Sequence, residues 1–255
     1  MLERKARDRR KVSPTEFGRL LVPHAESVAS ELQNLKVQFD NLLGLRHTVL
    51  RFAATPTAMT RLIAPALAAF RTQHPKFRVQ AMQMVLPTII SRLNEGVFDF
   101  IIADEPQESL AEQYIVEPLI TDFAVVICGP KHPLATAAPS EISAGELAKQ
   151  RWIGFGPFMP TMAGFCSIFE KTGLKLPTRF LETSSCELTI AELQTNRYLA
   201  VMPRELIRPQ LRSGDLIELP LKLEPIEGWR ISVIRRVDFQ LSPAAEDFLN
   251  CLRAV

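Results

Sequence analysis

Residues 49–84, VLRFAATPTAMTRLIAPALAAFRTQHPKFRVQAMQM, change their hydrophobic period twice. VLRFAA (49–54) is a β run, Thr57 to Gln73 spaces its apolar residues at helical intervals, and FRVQAMQM (77–84) returns to a strand pattern. Working outward, Pro87 to Glu95 predicts a second helix closed by Gly96. FDFIIA (98–103) is a short apolar strand of the kind buried on both faces of a parallel sheet. This β-α-β-α-β order with short connections predicts an α/β fold: an open, mostly parallel sheet covered by helices on both faces.

The pattern then repeats. Tyr114 to Leu119 leads through Ile120, Thr121 and Asp122 to the strand FAVVICG (123–129), so a crossing into a second lobe is expected near Thr121 to Ala124. After the proline-rich PKHPLATAAPS (130–140) come RWIGF (151–155), a helix from Thr161 to Thr172, TRFLET (178–183), a helix from Cys186 to Thr195 and LAVM (199–202). LIELPL (216–221), a spacer, the strand WRISVIRR (229–236) and a helix capped by Ser242 and Pro243 close the chain. That last helix carries Ala245, Phe248, Leu249 and Leu252 on one face. Two similar lobes with an early crossing and a late return predict a cleft closed by hinge motion. Ligands in open α/β sheets bind beyond the carboxyl ends of the strands, so residues just after each strand become candidates.

Ahead of this region lies a different kind of sequence. Residues 1–19 hold seven basic side chains (Arg4, Lys5, Arg7, Arg9, Arg10, Lys11 and Arg19) and three acidic ones, a net +4 in a chain whose total is +2. Such asymmetry fits a polyanion contact as well as a plain solvated terminus. Ser13-Pro14-Thr15-Glu16 has the form of a capping box and predicts a helix beginning at Pro14 with Ser13 as its cap. Leu21, Ala25, Val28, Leu32, Leu35, Phe39 and Leu42 then recur at alternating steps of four and three, the seam spacing of a coiled coil. A kink is expected at Pro23.

Composition narrows the function classes. With 255 residues and 47% hydrophobic content the chain can bury a sizeable core. No apolar run approaches the roughly 20 residues a membrane helix needs, and the charged start is unlike a signal peptide, so a cytoplasmic protein is expected. Cys128, Cys166, Cys186 and Cys251 are scattered, as are His24, His47, His74 and His132, so neither a metal site nor a cofactor is expected. G-x-S-x-G, H-E-x-x-H and phosphate-loop patterns are absent, and GFGPF (154–158) lacks the rest of a dinucleotide fingerprint. An enzyme is not expected.

Several stretches together resemble the LysR-type transcriptional regulators. MLERKARDRRKVSPTEFGRLLVPHA (1–25) is similar to the end of that family's winged helix-turn-helix domain and the start of its linker helix. FAATPTAMTRLIAPALAAFRTQHPKFRVQ (52–80), LNEGVFDFIIAD (93–104), CGPKHPLA (128–135), LAVMPRELI (199–207) and LSPAAEDFL (241–249) look like successive landmarks of its effector domain. The resemblance implies a regulator with a two-lobed, periplasmic-binding-protein-like domain that takes a small inducer. It also implies linker helices that pair in a homodimer or homotetramer, contact with DNA in the full-length form, and no membrane partner. Residues 1–13 would then be the remnant of a wing, 14–46 the linker helix, 47–122 with 225–255 lobe I, and 123–224 lobe II. The family's recognition helix would lie before Met1. TNRYLAVMP (195–203) departs from the family, placing Asn196 and Tyr198 where glycine is favoured. Asn196 can take a left-handed conformation, whereas Tyr198 would crowd a close backbone approach.

On this reading Thr55 and Thr57, after the first strand and at a helix start, are the leading ligand contacts, offering hydroxyls and free N–H groups to a carboxylate. Val85 and Thr88 follow the second strand, and Asp104 with Glu105 the third. Gly156 and Phe158 lie beyond WIGF, and Ser184 and Ser185 open a helix beyond TRFLE. Each has a bland alternative, as a helix cap, packing residue or solvated loop. Arg4, Lys5, Arg7, Arg9, Arg10 and Lys11 would contact the DNA backbone, and Leu21, Val28, Leu32, Leu35, Phe39 and Leu42 the partner helix. The alternative is a stand-alone small-molecule-binding protein acting through dimerisation with full-length relatives.

Overall fold

The structure, a computed structural model, describes residues 2–4, 12–22, 24–25, 28, 32, 35, 39, 49–105, 113–140, 142–155, 160–170, 173–177, 179–221 and 228–255. It opens on two short strands, β1 (Leu2–Arg4) and β2 (Val12–Pro14), paired antiparallel with Leu2 opposite Pro14. Helix α1 follows, described at residues 16–22, 24–25, 28, 32, 35 and 39. The expected helix start is therefore shifted. Ser13 and Pro14 belong to the strand, and Thr15 caps the helix, its Oγ1 accepting the Gly18 N–H at 3.1 Å. Pairing with a strand ten residues back overrides the local capping signal. Pro23, and with it the expected kink, lies outside the described residues.

Two five-stranded sheets carry the rest. The first has the order β4-β3-β5-β12-β6, from β3 (Val49–Ala54), β4 (Arg78–Gln83), β5 (Phe100–Asp104), β6 (Tyr114–Asp122) and β12 (Trp229–Arg236). The second has the order β11-β7-β10-β8-β9, from β7 (Ala124–Cys128), β8 (Trp152–Phe155), β9 (Arg179–Thr183), β10 (Leu199–Pro203) and β11 (Ile217–Glu218). Each sheet contains one reversed strand. β12 runs antiparallel to β5 and β6, and β7 runs antiparallel to β10 and β11.

Side-chain alternation along the central strands explains why both faces of each sheet are covered. In the first sheet Leu50, Phe52, Ala54, Phe100, Ile102, Ile231 and Val233 face one core. Ala53, Ile101, Ala103 and Ile234 face the other. The first core is closed by helix α3 (Ala64–Gln73) and helix α9 (Pro243–Arg253), with Phe248 stacked on Phe52 at 4.9 Å and edge-on to Phe70 at 5.5 Å. Helix α4 (Thr88–Asn94) covers the opposite face through Ile89 and Leu93. In the second sheet Val126, Cys128, Trp152, Leu199 and Val201 face the core closed by Phe165, Ile168 and Phe169 of helix α6 (Pro160–Glu170). Val125, Ile127, Ile153, Ala200 and Met202 meet Leu193 of helix α7 (Cys186–Thr195) on the other face.

The proposed departure at Asn196 resolves differently from expectation. Asn196 is extended, at φ −115°, and its N–H bonds to Glu192 O, so no left-handed turn is formed there. The tight approach is instead supplied by Gly129, where a Cβ would stand 2.0 Å from the Leu193 carbonyl oxygen. Two short helices that the sequence reading passed over are present: α5 (Ala144–Ala148), capped by Ser143, and α8 (Arg208–Ser213), ended by left-handed Gly214.

Candidate functional site

Strand direction gathers the site. β3, β4, β5 and β6 all end at one edge of the first sheet, and β8, β9 and β10 end at the corresponding edge of the second. Only Phe123 separates the end of β6 from the start of β7, so the two edges adjoin. The strand ends of both sheets thus converge on the crossing.

Thr55 sits at the end of β3 and at the start of a helix that continues from α2 (Pro56–Ala58) through a π-helical stretch (Met59–Ile63) into α3. Its N–H bonds to Ile102 O at 2.9 Å, and its carbonyl accepts the Met59 N–H at 2.9 Å, which fixes its backbone. The hydroxyl does not cap the helix. Thr55 is 5% exposed, and its Oγ1 is buried with no hydrogen-bond partner. The N–H groups of Thr57 and Ala58 have no acceptor within the helix, as at any helix start. Thr57 is buried beside them. A buried, unbonded hydroxyl next to free backbone donors is an unexpected cost for a plain cap and an asset for an anion site.

Val85 and Thr88 are exposed, Thr88 as the first residue of α4. Ser185 is a helix cap: its Oγ accepts the Leu188 N–H at 3.1 Å and donates to Glu187 at 2.9 Å. Ser184 beside it is exposed. Gly156 and Phe158 lie outside the described residues, as do Lys5, Arg7, Arg9, Arg10, Lys11 and Leu42. Arg4 ends β1. Leu21, Val28, Leu32, Leu35 and Phe39 are exposed in the single chain. Glu105, a candidate acceptor with solvated loop as its alternative, is tied down: it ion-pairs with Arg230 at 2.6 Å and accepts the Ser232 hydroxyl at 2.7 Å.

The structure adds residues that the sequence reading did not single out. Asp122, fully buried, ends β6 at the crossing. Its Oδ1 accepts the N–H of Phe123 at 2.8 Å and that of Glu205 at 3.1 Å, while its Oδ2 is buried without a partner. The Glu205 side chain meets Arg61 of lobe I at 3.0 Å and Arg208 at 3.1 Å, so an ion-paired cluster spans the lobes next to Asp122. Trp229 begins β12 on the return and packs against the main core of each lobe. Gly228 lets that return pass close to the crossing, since a Cβ there would stand 2.9 Å from Asp122 O.

Electrostatics at this edge are unusual. Burial pushes the Asp104 carboxyl up to about 6, reinforced by the neighbouring Asp122 charge and opposed by a hydrogen bond from the Trp229 side chain. Burial likewise pushes Asp122 up to about 6, against the lowering effect of the Glu205 and Phe123 N–H groups. Two carboxylates that resist ionisation at a strand-end cleft mark a place where a ligand's charge or donors matter. Groups of three or more potential metal ligands do not occur among the described residues.

Comparison with known proteins agrees with this geometry. The family model of the LysR substrate binding domain matches residues 44–255. The HTH-type transcriptional regulator GalR of Pseudomonas putida is 25% identical over 98% of this chain, which spans 62% of that protein's length. GbpR of Azospirillum brasilense, also an HTH-type transcriptional regulator, is 23% identical over 96% of this chain and 71% of its own. Among solved structures, the regulatory domain of Synechocystis CcmR in complex with 2-PG superposes with a TM-score of 0.68 at 24% identity, covering 81% of this chain and 96% of that one. The effector binding domain of QuiR in complex with shikimate gives 0.65 at 17% identity, over 81% and 95%. Two α/β sheets whose strand ends adjoin at the crossing, matched along 44–255, make this chain a member of the LysR substrate binding domain family.

Proposed function

We propose that this chain is the effector-sensing part of a DNA-binding transcription regulator, taking a small anionic inducer in the interlobe cleft and dimerising through α1. The observation that carries the reading is Thr55: a buried hydroxyl without a partner, beside helix-start N–H groups, at the edge where two lobes meet. A carboxylate there gains about 0.3–1 kcal/mol from an exposed helix end and up to about 2 when partly buried. Several such contacts with apolar burial reach micromolar affinity, about −8 kcal/mol. The relatives are regulators, and CcmR and QuiR carry small molecules in the matched domain.

The exposed apolar residues of α1 need a partner, and a second copy of the same stripe supplies one. The basic residues from Arg4 to Lys11 would add phosphate contacts, which position a protein on DNA without reading its sequence. Thermal-shift screening of a panel of aromatic, aliphatic and sugar carboxylates tests the cleft, because a ligand that binds the native state raises the melting temperature. Thr55→Val is expected to weaken a hit by about fivefold, one neutral hydrogen bond, while raising the stability of the ligand-free chain by removing an unbonded buried hydroxyl. Unchanged affinity in that variant would refute the assignment.

A further inference from the structure

Strand alternation divides the strand-end side chains of the first sheet between its two faces. Thr55 is still extended, at φ −69° and ψ 160°, and its N–H bonds to Ile102 O, so its side chain continues the row of Ala53 on the face covered by α4. Glu105 shares that face, as its contacts show. Its carboxylate accepts the hydroxyl of Ser232, which stands opposite Ala103, and ion-pairs with Arg230, two residues before Ser232 on β12. Asp104, paired with Ile231, belongs to the other face. Glu105 lies one strand over from Thr55 and two residues further along, which ordinary spacings make roughly 8 Å between α-carbons.

The two members of this ion pair are unequally used. Both oxygens of Glu105 are taken, Oε2 by Arg230 Nη2 at 2.6 Å and Oε1 by the fully buried Ser232 at 2.7 Å. The Glu105 N–H bonds to Arg230 O at 3.0 Å, which fixes the two backbones together. An arginine carries five N–H donors, and Arg230 makes this one end-on contact, leaving its other donors without a partner among the described residues. Its side chain is 61% exposed against 20% for Glu105, so the guanidinium stands on the solvent side of the carboxylate that anchors it. On the same face Thr55 holds its buried, unbonded hydroxyl, and Met84 and Leu86 supply apolar surface. Spare donors at both ends of an apolar interval call for a ligand with an acceptor at each end.

Resting on the strand ends as the effector site, we infer that the effector carries two anionic groups, one held by Thr55 and the helix start beside it, the other by Arg230. Arg230 determines specificity, separating diacids from monoacids. Glu105, braced by Ser232, is a positioning residue: it draws the guanidinium from β12 over β5, toward the strand that ends in Thr55. Because Glu105 neutralises Arg230 at long range, the second anion is recognised at contact, through paired N–H donors in the guanidinium plane. A dicarboxylate with about two to four carbons between its acid groups spans the interval.

The test titrates the 255-residue chain by isothermal titration calorimetry with pairs of acids that differ in one terminal group: butyrate and succinate, valerate and glutarate, hexanoate and adipate, 2-methylbenzoate and phthalate. In at least one pair the diacid is expected to bind about tenfold or more tighter, the size of one hydrogen bond to a charged group. Arg230→Gln should narrow that ratio below about threefold and leave the monoacid within about twofold of wild type. Arg230→Met, which keeps the apolar stem, serves as a second variant if the first does not fold. Glu105→Gln should lower diacid affinity and spare monoacid affinity, a split that general loosening of the fold would not produce. Equal binding of monoacid and diacid in every pair, a preference that survives both Arg230 variants, or failure of all four diacids to bind at millimolar concentration each overturns the inference. Whether the strand ends bind anions at all is decided separately, by the wider carboxylate panel and by Thr55→Val, which should weaken monoacid and diacid alike.

Discussion

Replacing Asp122 by asparagine tests the buried acid through the pH dependence of folding. In the folded chain burial raises this carboxyl from 3.8 to about 6, an increase of roughly two pKa units, or about 3 kcal/mol between its two protonation states. The folded pKa lies above the unfolded one, so the native state binds the proton more tightly. Below about pH 3.8 the group is protonated in both states and costs nothing; as pH climbs to 6 the unfolded chain ionises first, and the native state loses stability until both are ionised. Asparagine keeps an oxygen to accept the Phe123 and Glu205 N–H groups but sets an amide where Oδ2 has no partner. That second effect is about 1–3 kcal/mol and does not change with pH. The signature is therefore a slope. Denaturant unfolding of both proteins from pH 4 to 7.5 should give a difference that moves by about 2–3 kcal/mol toward the variant. Asp104 and Glu205 are the acidic neighbours, and Asp104→Asn, which removes a second carboxyl raised to about 6, should flatten the fall of wild-type stability across the same range. A difference constant across this range would refute the claim that Asp122 is a strained, proton-holding acid.

Three further perturbations address the scaffold and its assembly. Gly129→Ala would drive a methyl group into the Leu193 carbonyl, 2.0 Å away, and should lower stability by about 1–3 kcal/mol or more in a thermal melt. Gly145→Ala, inside α5 with only Ser143 Oγ at 3.8 Å, should raise it by up to about 1 kcal/mol. Leu32→Glu puts a charge in the apolar stripe of α1 and should convert the chain to a monomer at micromolar concentration in sedimentation velocity; a monomeric wild type would sink the pairing of α1.

What could be read from the sequence follows the range of the forces involved. Strand and helix periods are local, so VLRFAA, Cys186 to Thr195 and WRISVIRR were placed within a residue of where they fold. The local signal makes Ser13 a cap, but its strand pairing depends on Glu3 across the hairpin. Thr55 was legible as a strand-end residue, but its unbonded hydroxyl was not, since that depends on what the helix start leaves unused. Asp122 lay inside the expected crossing and passed unnoticed, because its burial comes from Glu205, 83 residues away, and from the returning β12. Glu105 looked solvated until Arg230 and Ser232 arrived from that same late strand.

The crossing also explains why each sheet has one reversed strand. A chain that leaves the first sheet at the cleft edge of β6 must enter the second at its own cleft edge, so β7 can only run away from the cleft, against β8, β9 and β10. The return imposes the same condition on β12. Both reversed strands therefore start at the crossing, and the residues beside their starts are tied to both sheets: Phe123 and Asp122 through the Arg204 and Glu205 N–H groups, Trp229 through packing on two cores. In this arrangement Asp122 and Trp229 stand where both passages between the sheets run, and the Trp229 side chain reaches Asp104 from there.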